Sequence, residues 1–129
     1  MAVSVLTNVK NDVVSGIMTA TLTAASSEGA SSIFCGFKPR MVKMTQTAGS
    51  PDATSRSLGL STMTAGYAVL IAAAGDLTIP TSNGFTFLDG TEVAPATKMT
   101  GSPLDAGPGV TVGTGVIANS IEYLIELYR

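Results

Sequence analysis

The sequence predicts an all-β protein, a single-domain β-sandwich of jelly-roll type, with a small closed β-barrel as the alternative. Two observations predict it. Short stretches alternate apolar and polar residues at the strand period of two, and turn residues recur about every ten positions. Such spacing belongs to sandwiches and barrels. A chain of 129 residues suits one domain, here residues 1–129, and can bury one core.

Residues 3–9 alternate weakly through Val3, Val5, Thr7 and Val9, and residues 1–12 read as an N-terminal arm able to extend from the domain. Residues 17–24 give a clearer strand. Met18, Ala20, Leu22 and Ala24 point one way, and Thr19, Thr21 and Thr23 point the other. Threonine is stiff at χ1 and fits a pleated surface. Residues 26–32 are small and polar, as a loop. A strand begins at Ile33, Pro39 interrupts, and residues 41–47 continue with Val42 and Met44 opposite Met41, Lys43 and Thr45. Residues 48–52 make a turn.

Residues 56–63 alternate loosely, and Thr64-Ala-Gly66 marks a corner. Residues 67–73 and 77–79 are short apolar runs. Asn83-Gly84, between Ile79 and Phe85, predicts a hairpin, because both residue types tolerate positive φ. Phe85-Thr-Phe87 alternates and ends at Asp89-Gly90. Residues 91–109 are rich in proline and glycine and read as a long loop, a place where binding elements are found. Residues 110–112 form a brief strand. The end, 121–129, fits strand or helix, and strand is expected because nine residues are short for a helix.

About half the chain is Gly, Pro, Ala, Ser or Thr; 45% is hydrophobic and only 12% charged, against about 25% in ordinary globular chains. That composition argues against disorder and for a surface hidden against copies of itself or a partner. Net charge is −2, and the seven basic residues are scattered apart from Lys38, Arg40 and Lys43. This is no footprint for nucleic acid. No basic region followed by an apolar core opens the chain, so no secretory signal is expected. The longest uncharged stretch, 57–75, has an apolar centre too short for a membrane helix.

Enzyme chemistry is not expected, and no catalytic, cofactor-binding or metal-binding residue is assigned. The chain has no His, which removes the usual general base and zinc ligand. Cys35 is the only cysteine and sits among Ile33, Phe34 and Phe37, so a buried thiol is expected rather than a nucleophile. Gly113-Thr-Gly115-Val-Ile-Ala118 matches a dinucleotide fingerprint, but too few residues follow for the helix and second strand it needs. Turn glycines are the better reading. Asp76, Asp89 and Asp105 read as turn residues; Asp89 with Glu92 would make an acid pair or a solvated loop. Arg40 could make a bidentate salt bridge to a carboxylate on a neighbour. The six methionines suit adaptable packing.

Three segments carry a resemblance. Phe37-Lys-Pro-Arg-Met-Val-Lys-Met, then Met63-Thr-Ala-Gly-Tyr-Ala with Gly75 and Thr81-Ser-Asn-Gly-Phe-Thr, then Val112-Gly-Thr-Gly with the closing 121–128 stretch, together resemble small structural proteins of tailed bacteriophages. The resemblance covers about residues 33–129 and implies a virion component of the capsid decoration, or cement, type, located on the capsid exterior. The implied partners are the major capsid protein and further copies of the chain, as a homodimer or homotrimer; neither nucleic acid nor a membrane is implied. A head-fibre base, a tail or adaptor subunit, and a host-surface binding module are the alternatives. Contact residues are expected on the N-terminal arm (Val3, Val5, Leu6, Val9), at Arg40, and in the 91–109 loop (Pro95, Met99, Leu104).

Overall fold

The computed structural model describes residues 3–25, 27, 29–50, 54–91 and 97–129. Among them are ten strands and no α-helix. They are β1 (Val5–Asp12), β2 (Ile17–Thr23), β3 (Ser31–Phe34), β4 (Met41–Ala48), β5 (Arg56–Leu60), β6 (Val69–Ile71), β7 (Leu77–Thr78), β8 (Phe85–Asp89), β9 (Pro108–Val112) and β10 (Glu122–Tyr128). Every strand pairing is antiparallel. A seven-stranded sheet runs β1-β2-β10-β4-β5-β6-β7, a three-stranded sheet runs β3-β9-β8, and neither closes into a barrel.

One core draws on both sheets. The large sheet contributes Met18, Leu22, Val42, Met44, Tyr123, Ile125 and Leu127, all fully buried; the small one contributes Ile33, Phe85, Val110 and Val112. The alternation expected in 17–24 and 41–47 is the burial pattern of β2 and β4. The 121–129 segment is a strand, with Tyr123, Ile125 and Leu127 inward. Cys35 is buried as expected.

Four expectations need correction. First, the 1–12 arm is not free: Val5–Asp12 pairs along β2 within the chain's own sheet. Its alternation breaks between Thr7 and Lys10, where Asn8 takes φ 53°. Such a bulge shifts which side chains face the core, and Val9 turns against it while Val5 and Thr7 face out. Second, the 26–32 loop ends early. Ser31 and Ser32 are buried in β3, Ser32 sharing a 2.7 Å hydrogen bond with Thr111 on β9.

Third, Asn83-Gly84 does not turn a hairpin, because β7 and β8 lie in different sheets. Asn83 does take φ 60°, but here the segment is a junction. The Gly84 amide donates to the Gly66 carbonyl, and the Gly113 and Gly115 amides donate to the Gly84 and Asn83 carbonyls. The backbones are so close that a Cβ on Gly84 would sit 2.5 Å from the Gly66 oxygen. Gly113 and Gly115 are thus packing glycines of this junction. Fourth, the described part of the 91–109 segment is a seam between the sheets. Thr100 exchanges backbone hydrogen bonds with Ser4 and Leu6 beside β1, while Thr97 and Met99 bond Ser32 of β3. These bonds tie the described part of the segment to both sheets.

Candidate interaction surface

Since successive side chains of a strand alternate, the seven-stranded sheet has a second face turned away from the core. Its register sets outward residues in rows. One row runs Ile17, Tyr128, Met41, Leu60. The next runs Thr19, Glu126, Lys43, Leu58, Val69. A third runs Thr21, Leu124, Thr45, Arg56, Ile71, Leu77. This face is mixed rather than polar: Ile17, Leu60, Leu124 and Leu77 are exposed at 43, 39, 38 and 60%.

Over β4, β5 and β6 the face is dished into a groove of about 470 Å³, floored by Leu58, Val69 and Ile71 and flanked by Lys43 and Arg56. Glu126 lies across from Lys43 in register, and its carboxylate accepts a hydrogen bond from the Tyr128 hydroxyl. That bond holds the Tyr128 phenol above its ordinary pKa, because ionising it would set two negative charges together. Among the described residues neither Lys43 nor Arg56 has an ion-pair partner; the one pair there is Lys98–Asp105, at 2.8 Å. That contact and the Lys98 charge hold the Asp105 carboxyl below its ordinary pKa.

The other candidate chemistry is dispersed. Asp12 accepts hydrogen bonds from the Ser15 hydroxyl and the Val14 and Ser15 amides, closing the turn between β1 and β2. Asp89 does the same for Thr91, while Glu92 lies outside the described residues. Burial pushes the Cys35 thiol above its ordinary pKa and outweighs the backbone hydrogen bonding at Phe37 and Cys35 that pulls the other way, so the reactive thiolate is disfavoured. Among the described residues no group of His, Cys, Asp and Glu is placed to hold a metal ion, and no helix is long and apolar enough to cross a membrane.

The expected contact residues do not form one patch. Val5 and Leu104 are exposed at 36 and 44%, and Arg40 is exposed. Val3 is half-buried and Val9 packs against the core. Leu6 and Met99, at 4 and 0% exposure, are core residues with no side chain to offer a partner. Leu6 is inward because it pairs with the inward Leu22 of β2, and Met99 because of the seam it belongs to. Pro95 lies outside the described residues. The outward Ile17, Leu60, Leu77 and Leu124 were missed by sequence reasoning. Ile17 and Leu124 carry a signal that could have found them: each is apolar at the outward position of a strand whose inward set is already complete.

Comparison with known proteins finds no matching family model, no matching curated protein and no matching solved structure.

Proposed function

We propose that this chain is a capsid decoration (cement) protein of a tailed bacteriophage: non-enzymatic, located on the capsid exterior, and binding the outer face of the shell as a homodimer or homotrimer. The observation that carries the reading is the outward face of the large sheet. Four large apolar side chains are exposed there, in a chain with only 12% charged residues. Exposed apolar area that recurs on one face marks an interaction surface. The sequence resemblance over residues 33–129 supplies the class of partner, the major capsid protein. Docking on assembled shell and not on free subunits would stabilise the shell by mass action.

The same proposal extends to the fold, as a β-sandwich of jelly-roll type. Its support is the path of two strand pairs. β2 pairs with β10 in the large sheet, and their chain neighbours β3 and β9 pair in the small one. The two pairs are one antiparallel ribbon folded over the core, as jelly rolls are built.

The test is to quantify the chain by mass spectrometry in purified particles, against the major shell protein, and to measure shell disassembly with and without added chain. Decoration predicts copies in simple ratio to the shell subunit and a higher disassembly temperature. A few copies per particle would replace this reading with a head-fibre, tail or adaptor role. Absence from particles would end it and favour a host-surface binding module.

A further inference from the structure

Just past the row Ile17, Tyr128, Met41, Leu60, each strand continues by one residue at the same end of the sheet. Backbone hydrogen bonds keep these residues in step: Arg129 donates to the Gly16 carbonyl, Arg40 to that of Tyr128, and Ser61 to that of Arg40, at 2.8, 2.7 and 2.8 Å. Adjacent strands lie about 4.8 Å apart, so Arg129, Arg40 and Ser61 are side by side. Lys38 joins them across the buried Pro39, whose ring fixes φ. Together they line a cavity of about 400 Å³. Three of the seven basic residues of a net-negative chain thus surround one space.

No side-chain carboxylate among the described residues lies within ion-pair distance of any of the three. Asp12 feels the charge of Arg129, but its oxygens are taken by Ser15 and the Val14 amide. The Arg129 guanidinium donates two of its five N–H groups to the Val13 and Val14 carbonyls and lies over the Phe37 ring, which leaves three donors for a ligand. Like charges lining one cavity favour an anion between them.

We propose that this cavity is a carboxylate-binding site, and that its ligand is an acidic segment of a partner protein, held by Arg40 and Arg129 in charge-assisted hydrogen bonds with Lys38 and Ser61 beside them. Arginine forks match carboxylates bidentately. Three cations on an acidic protein are too few for a nucleic-acid track. The site stands or falls apart from the shell reading: a chain absent from virions would still carry it.

The probe is a hexaglutamate peptide, titrated calorimetrically into the intact chain at low salt. Binding is expected, weakening with added salt, and falling about tenfold in Arg40→Gln and again in Lys38→Gln. Lys98→Gln, remote from the cavity, should bind as the parent does. Both cavity positions are exposed, and unchanged melting of the free variants verifies folding. No binding, or equal binding by Arg40→Gln, overturns the proposal. Inorganic phosphate that binds where the peptide does not makes this a small-anion site and overturns the partner assignment. A single-stranded oligonucleotide that binds more tightly than the peptide overturns it in favour of nucleic acid.

Discussion

The two faces of the seven-stranded sheet are made by the same strands, yet they do different work. On β10 the inward Tyr123, Ile125 and Leu127 are fully buried, while the outward Glu122, Leu124, Glu126 and Tyr128 are exposed or half-buried. On β2 the inward Met18, Ala20 and Leu22 meet the core, and the outward Thr19, Thr21 and Thr23 make a flat threonine surface. The inner face holds the fold. The outer one leaves Ile17, Leu60, Leu77 and Leu124 exposed, and the proposed docking rests on them.

Substitutions that respect this division separate its two halves. Ile125→Ala on the inner face should cost about 2–5 kcal/mol, from lost burial and the cavity left behind, read as a drop in denaturation midpoint. Tyr123→Phe should cost about 1–3 kcal/mol by the same measurement. The Tyr123 hydroxyl shares a 2.6 Å hydrogen bond with Thr54 and accepts the Ala118 amide at 2.9 Å, and both would lose that partner. Leu124→Ala on the outer face should change stability by less than about 0.5 kcal/mol while weakening association with shells. If Leu124→Ala unfolds the chain as Ile125→Ala does, the division between the faces is wrong.

The smallest effect concerns pH. Hydrogen bonds from the Ser15 side chain and backbone hold the exposed Asp12 carboxyl below its ordinary value of 3.8. A carboxyl depressed on folding adds stability that is present above the unfolded pKa and lost as pH falls through the folded one. Asp12→Asn should therefore remove that slight stability near neutrality and change little well below pH 3.8, seen as a flatter dependence of the melting temperature on pH.

Local patterning carried the inner face well. In β2, β4 and β10 the period of two assigns each side chain correctly, because burying one face of a half-buried strand leaves a direct trace in the sequence. Long-range neighbours leave no such trace. Asn83-Gly84 looks like a hairpin because its conformation is local, but its partners are Gly66, Gly113 and Gly115, far away in the chain. Leu6 and Met99 look available on paper, and only the pairing of Leu6 with Leu22 and the seam through Thr100 bury them. The cavity between Lys38, Arg40 and Arg129 joins residues 91 positions apart in its widest span, which no spacing argument brings together.

The claim that the outer face is the docking surface is tested most directly by labelling it. Cys35, the only cysteine, is buried and disfavours the thiolate, so it stays silent to a maleimide. Leu124→Cys then places one reactive thiol at the centre of the face. Rapid labelling of the free chain is expected, with about tenfold or greater protection once it is bound to shells, since a docked face excludes reagent. Equal labelling rates in the free and bound states would contradict it.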